Sequence, residues 1–143
     1  MKRIFALLLV FSLTIFLLAQ ALGFELVQTW LVPQPDRVAQ NFVSQLNATR
    51  YDKALEELNA ALRNEEGARG LEQLGSGLQA KFGAYELGLE GETQRQGTRA
   101  RYAGVLETQL QGSQEIEFEL ERNHETQRWE ISTLNHLKQL AQP

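Results

Sequence analysis

The stretch QEIEFELERN, residues 114–123, places a glutamate at every second position, 115, 117, 119 and 121. Three apolar side chains, Ile116, Phe118 and Leu120, lie between the glutamates. Because successive side chains of a strand point to opposite faces, this alternation predicts a β-strand with one buried and one solvated face. The glutamates are then expected on the outer face, away from the core.

The same period of two continues on both sides of this strand. It predicts three further strands, around residues 85–90, 98–110 and 129–131, with turns at 92–97, 111–113 and 122–128. Four strands joined by short turns form an antiparallel meander. The side chains predicted to face inward are Tyr85, Leu87, Leu89, Tyr102, Leu106, Ile116, Phe118, Leu120, Trp129 and Ile131.

A specific register follows from these inward positions. They are even-numbered in the second and third strands, so the numbers of paired residues must sum to an even value across Gly112. They are odd-numbered in the fourth strand, so the sum across His124 must be odd.

Before Gly83 the apolar residues recur with the helical period of about 3.6. One helix is expected to begin near Asp36, a second to cover residues 51–62 with Asp52 as its N-cap, and a third to end at Gly83 after a polar connector at 63–70. The apolar stripes of these helices are Val38, Phe42, Val43 and Leu46; Ala54, Leu55, Leu58, Ala61 and Leu62; and Leu71, Leu74, Leu78 and Phe82. Helices followed by strands indicate an α+β fold.

The N-terminal segment predicts export. Met1-Lys2-Arg3 precedes an apolar run and then the small residues of AQALG, an order typical of a signal peptide. Residues 4–24 would also span about 31 Å as a helix at roughly 1.5 Å per residue, enough for an uncleaved transmembrane anchor. Both alternatives stay open, and in both the basic residues place the N-terminus in the cytoplasm and the rest outside.

The chain then divides into four segments. Residues 1–23 are the signal peptide or anchor, 24–35 a juxtamembrane linker, 36–137 the folded domain and 138–143 a tail. The domain is expected to be extracytoplasmic, either membrane-anchored or secreted.

Composition excludes several functions. The net charge is −4, and without Lys2 and Arg3 the remaining 12 basic residues face 18 acidic ones, a net charge of −6 that argues against nucleic-acid binding. The chain has no cysteine, which excludes disulfides, thiolate zinc sites and cysteine nucleophiles.

Two short motifs carry a resemblance. NATRYDKA, residues 47–54, leads from the first helix into the second, and Trp129-Glu130-Ile131 forms a "W-x-I" pattern in the last strand. With the order of helices and strands, the chain over about residues 36–137 resembles the nuclear-transport-factor-2-like superfamily, in particular its small exported bacterial members of unknown function. The resemblance implies about three helices packed on a curved four-stranded antiparallel sheet, a cone whose open end can hold a pocket.

The same resemblance raises the question of catalysis. Isomerase-like and dehydratase-like members need an aspartate or histidine inside an apolar cavity, often beside a tyrosine. Here the inward positions supply tyrosines and no base, because both histidines fall in a turn or the tail and both aspartates at helix starts. No catalytic, metal or cofactor site is therefore predicted. The predicted pocket is lined by Phe42, Phe82, Tyr85, Tyr102, Phe118 and Trp129.

The expected function is noncatalytic binding of a protein partner or a small apolar ligand. The alternatives are a pocket enzyme of hydratase or isomerase type and a homodimeric structural module. Calcium binding by the glutamates is excluded, since alternate strand residues lie roughly 6.5 to 7 Å apart while calcium needs converging oxygens at about 2.4 Å. The glutamates are either a solvated face or a docking surface for a basic partner.

Overall fold

A computed structural model of the chain describes residues 32–143, so the predicted signal peptide or anchor at 1–23 lies outside the described residues. Residues Pro33–Pro143 form one compact unit. Its elements in chain order are α1 (Pro35–Asn47), α2 (Tyr51–Leu55), α3 (Ala60–Phe82), β1 (Tyr85–Gln96), β2 (Arg99–Thr108), β3 (Gly112–Arg122), β4 (Trp129–Thr133) and α4 (Asn135–Ala141). The predicted α+β order and the four-stranded antiparallel sheet are confirmed. Within residues 32–143, no helix is both long and apolar enough to cross a membrane.

The sheet has the predicted register. Its strands follow chain order, β1-β2-β3-β4. Tyr102 pairs with Phe118, an even sum, and Leu120 pairs with Ile131, an odd sum. The parity of these pairs is confirmed, and a shift of one residue occurs only beyond Leu120, where Glu119 pairs with Thr133. The inner face that results is buried at Leu106, Ile116, Phe118, Leu120 and Ile131.

The first strand differs from the prediction. β1 runs through the predicted turn at 92–97 to Gln96, and the chain reverses at Gly97, which has φ 62°. Between Leu87 and Gly91 the pairing shifts, so that three residues of β1 oppose Val105 alone. Leu89 lies in this bulge and is 88% exposed, so the prediction that it faces inward is wrong. A bulge interrupts the period of two, which the sequence pattern alone does not reveal.

The helical half confirms the first predicted helix. α1 begins with Pro35 in its first turn, a position where a missing N–H costs nothing, and its predicted stripe is buried. Asp52 is not an N-cap: α2 starts after Arg50 and has no side-chain cap.

The predicted second helix over 51–62 is wrong. After α2 ends, Leu58 forms a parallel bridge to Ile131 of β4. The Ile131 N–H donates to the Glu57 carbonyl over 2.8 Å, and the Asn59 N–H donates to the Ile131 carbonyl over 2.9 Å. A contact between residues far apart in the chain therefore ends the helical pattern early.

The predicted polar connector at 63–70 is also wrong, because it lies within α3. Asn59 caps this helix, its Oδ1 accepting from the Leu62 N–H over 2.9 Å. At Gly67, with φ 59° and ψ 177°, the helix is kinked, a conformation that glycine adopts without steric cost. The predicted stripe beyond the kink is buried.

A fourth helix, which the pattern does not predict, covers Asn135–Ala141. Its Leu137 is buried in the core. Lys81 of α3 donates to the Leu140 carbonyl over 2.9 Å, which joins the end of the chain to α3.

Candidate functional site

The structure brings the six predicted pocket-lining residues into one core. Phe42, Phe82, Tyr85, Tyr102, Phe118 and Trp129 are all buried and belong to the same apolar cluster. The rings of Phe42 and Phe118 meet edge to face, with centroids 6.1 Å apart. Tyr85 also lines a surface cavity of about 320 Å³ beside Asn47 and Gln109. The inner face of the sheet is thus covered by packed rings.

Two buried tyrosines carry hydroxyls inside this core. Burial raises the pKa of Tyr85 well above its usual range, and its hydroxyl has no hydrogen-bond partner among the described residues. The pKa of Tyr102 is also raised, chiefly by burial and further by the Asp36 carboxylate, while the Gln40 side chain opposes the shift. The charge of Asp36, a residue predicted only as a helix start, therefore acts on a buried phenol.

Arg95 covers one end of the inner face. Its guanidinium carbon lies 6.0 Å from the centroid of the Trp129 ring, within cation–π range. The same guanidinium donates to the Gln34 side chain. Arg95 is not among the predicted site residues, because residues 92–97 are predicted to be a turn. The observed pairing of Arg95 with Ala100 puts it on the inner face.

A partly buried carboxylate, Glu57, was also missed. It lies in the connection between α2 and α3. Burial raises the pKa of Glu57, with Arg128 and Asn41 acting in the opposite direction and Glu56 adding to the rise. One of its carboxylate oxygens is buried with no hydrogen-bond partner within residues 32–143.

The outer face of the sheet concentrates negative charge, as the alternation of glutamates predicts. Residues 32–143 contain 17 acidic and 12 basic residues. The register places eight of the acidic residues but only two of the basic ones on this face, and Glu90, in the bulge of β1, lines a cavity with three of the eight. The outer sheet face therefore carries a net charge of −7 and the rest of the described chain +2. Its acidic residues are Glu86, Glu90, Glu92, Glu107, Glu115, Glu117, Glu119, Glu121 and Glu130, and its basic residues are Arg99 and Arg101.

The outer sheet face carries two large cavities and a smaller one of about 190 Å³, which shares Arg101 with the first and Glu117 with the second. The mixed cavity, about 720 Å³, is lined mainly by Gln94, Gln96, Arg99, Arg101, Glu119, Glu121 and Ser132. The acidic cavity, about 670 Å³, is lined by Glu90, Glu92, Ala103, Val105, Glu115, Glu117 and His136, together with Gly91, Gly104 and Ile116.

Two side-chain contacts involve glutamates that line these cavities. The Arg101 Nε lies 2.6 Å from the Glu117 carboxylate across the strands. The Asn59 amide donates to Glu121 over 2.7 Å. No group of three or more acidic or histidine side chains among the described residues has an arrangement that could hold a metal ion.

Comparison with known proteins identifies the fold. No family model matches the chain, and no curated protein matches it. One similar solved structure is a Campylobacter jejuni protein described as an NTF2-like transpeptidase, with a TM-score of 0.55 and 12% identity, covering 71% of this chain and 99% of that one. The chain has the nuclear-transport-factor-2-like fold.

A second solved structure agrees in outline. A SEC-C motif containing protein from Rhodopseudomonas palustris matches with a TM-score of 0.51 and 11% identity, covering 69% of this chain and 75% of that one. At such identities the nuclear-transport-factor-2-like likeness concerns the fold and carries no activity over to this chain. The resemblance to small exported members stays a prediction.

Proposed function

We propose that this nuclear-transport-factor-2-like domain is a noncatalytic extracytoplasmic module, membrane-anchored or secreted, that binds a partner protein through its outer sheet face. One observation carries the proposal: the outer sheet face bears nine acidic side chains and two open cavities of about 720 and 670 Å³ on four hydrogen-bonded strands. Exposed charged side chains on a rigid scaffold are suited to recognition, because the strands hold them in place before a partner arrives.

A protein partner is favoured over a small apolar ligand. The six aromatic residues that could line an interior pocket are buried against one another, and Arg95 lies over Trp129 at one end. A ligand would have to displace packed rings, and removing a large core side chain from its contacts costs about 3 to 5 kcal/mol. The outer sheet face requires no such rearrangement.

A capture experiment tests the proposal. The full chain, purified in a neutral detergent, is incubated with membrane extract of the source cells, cross-linked and recovered. Ala103→Trp fills the acidic cavity of the outer sheet face, and Ala80→Trp places the same ring at an exposed position of α3. A partner should be retained by the wild type and by Ala80→Trp and lost by Ala103→Trp. Equal retention by both variants contradicts the proposal.

The ligand alternative is tested with the same preparation. Titration with a mixed lipid extract should leave the fluorescence of Trp129 unchanged, because its ring is buried beneath Arg95. A saturable change that Trp129→Phe removes would favour an interior ligand site instead.

The buried hydroxyl of Tyr102, which has no hydrogen-bond partner among the described residues, favours a second candidate, a hydratase or isomerase. The half-buried Asp36 carboxylate, whose charge raises the pKa of this phenol, would be the base in a proton transfer. A substrate-panel screen tests it. Turnover by the wild type that Asp36→Asn abolishes, with the fold intact, would favour the enzyme. Equal background turnover by the wild type and Asp36→Asn would exclude the enzyme.

A further inference from the structure

The charge on the outer sheet face is distributed unevenly. Both arginines of the face line the mixed cavity. The acidic cavity has glutamates on two sides, Glu90 and Glu92 from β1 and Glu115 and Glu117 from β3. Only Glu117 of these four forms an ion pair within the described residues, with Arg101. Three carboxylates of this cavity therefore remain unneutralised.

The strand between the two acidic rows supplies a low floor. Ala103 and Val105 of β2 point to the outer sheet face between the glutamates of β1 and β3. Since neighbouring strands lie about 4.8 Å apart, the two acidic rows are separated by roughly 10 Å with small apolar side chains between them. The result is a trough along the strands with acidic walls.

We propose that the partner presents an extended segment rich in lysine and arginine, and that this segment lies in the trough of the acidic cavity. The inference rests on the proposed function and names the class of its partner.

The spacing of the carboxylates fits such an occupant. Alternate residues of any extended chain lie roughly 6.5 to 7 Å apart, the same repeat that separates Glu115 from Glu117. The repeat that prevents these carboxylates from converging on a metal ion matches the alternate side chains of an extended peptide. Basic side chains would alternate between the two walls of the trough.

An apolar neighbour adds to the fit. Leu89 is 88% exposed in the bulge of β1, next to Glu90. Lysine and arginine bury their aliphatic stems along apolar surface while the charged head reaches a carboxylate. Nucleic acids and anionic lipid surfaces, by contrast, are repelled by a face with a net charge of −7.

The test measures binding of a fluorescently labelled lysine peptide, about ten residues long, to the full chain by anisotropy at low and near-physiological salt. One variant combines Glu90→Gln, Glu92→Gln and Glu115→Gln in the acidic cavity. Its matched control combines Glu65→Gln, Glu72→Gln and Glu125→Gln, three exposed carboxylates outside the sheet. Both variants change the net charge by the same amount, and circular dichroism verifies that both are folded.

The trough variant should weaken binding by about tenfold and the control by less than about threefold, since exposed charge pairs contribute modestly and roughly additively. Equal weakening by the two variants would mean attraction to net charge alone and would overturn the inference, as would failure of the wild type to bind. If the wild type does not bind the peptide but Ala103→Trp still loses the captured partner, the proposal that the outer sheet face binds a partner is retained. The proposal that the partner presents a basic segment is then wrong. If Ala103→Trp retains the partner, the proposed function itself fails.

Discussion

At the scale of single residues, the clearest constraint is the space beside Tyr102. Its ring is fully buried on the inner face, between two glycines of neighbouring strands. A Cβ atom on Gly91 would lie 2.4 Å from the Tyr102 hydroxyl oxygen, and one on Gly104 would lie 2.7 Å from it. The two glycines thus make room for the largest of the fully buried side chains.

Gly91→Ala should therefore destabilise the domain. The added Cβ would overlap the fully buried ring of Tyr102, and overpacking of this kind costs about 1 to 3 kcal/mol. Gly77→Ala is the matched control, because its Cβ would meet Ala141 at an ordinary 3.6 Å inside α3. We expect the control to raise the free energy of unfolding by up to about 1 kcal/mol through helix propensity. Urea titrations measure the free energy of unfolding of both variants. Equal changes in Gly91→Ala and Gly77→Ala would contradict the described position of the Tyr102 ring.

A second residue-scale prediction concerns Glu57 and pH. Burial raises its pKa above 4.5, so the folded protein holds a proton that the unfolded chain releases in the window above that value. Its ionisation then lowers stability as the pH rises through this window. The free energy of unfolding of Glu57→Gln should equal that of the wild type below about pH 4.5 and exceed it at pH 7, with the difference growing between these limits.

Thermal or urea unfolding across that pH range measures the difference. Glu65→Gln, which removes an exposed carboxylate of α3, serves as control and should show no such trend. A difference that shrinks with rising pH would mean that the Arg128 contact outweighs burial.

At the scale of elements, the joint between the helices and the sheet depends on Asn59. Its Oδ1 caps α3 at the Leu62 N–H over 2.9 Å, its Nδ2 donates to Glu121 over 2.7 Å, and its backbone N–H bonds to Ile131 over 2.9 Å. One residue therefore bonds to β4 through its backbone, and through its side chain it begins a helix and contacts β3.

Asn59→Ala should lower the free energy of unfolding by about 1 to 2 kcal/mol, because the cap and the contact with Glu121 are lost while the backbone bond remains. Asn59→Ser is the comparison, since serine also caps helices but does not reach Glu121. We expect the free energy of unfolding, measured by urea titration, to fall less in Asn59→Ser than in Asn59→Ala. Equal losses would assign the whole effect to the contact with Glu121.

The elements also show what the sequence can predict. Where a period and its flanking turns agree, as in α1 and β3, the prediction holds, because each residue's environment is set by its near neighbours. It fails where a distant contact intervenes: the bridge of Leu58 to Ile131 ends one helix early, and the bulge at Leu89 reverses one side chain. The outward glutamates were predictable from alternation. Their enclosure in a cavity was not, since it depends on small β2 side chains between β1 and β3.

At the scale of the whole molecule, the two faces of one sheet have opposite chemistry. The inner face is covered by buried rings, and the outer sheet face carries more than half of the acidic residues between 32 and 143. Because every strand alternates between the two faces, the same residues that specify the core register also fix the spacing of the exposed carboxylates. A change of register would therefore alter both the packing of the core and the spacing of the exposed carboxylates.

The compact unit Pro33–Pro143 should fold without the residues that precede it. We expect residues 33–143 to unfold cooperatively within a few degrees of the full chain, whereas residues 36–143 should melt about 5 °C lower. The shorter chain loses buried Pro35, the Gln34 carbonyl that accepts from the Val38 N–H over 3.0 Å, and the side-chain partner of Arg95. A loss of about 1 kcal/mol shifts the melting temperature of a domain this size by roughly 4 to 8 °C.

Circular dichroism melts of the full chain, residues 33–143 and residues 36–143 compare these cases. Failure of residues 33–143 to fold would show that the unit needs the preceding segment, and equal melting of the two shorter chains would show that the cover over Trp129 contributes nothing.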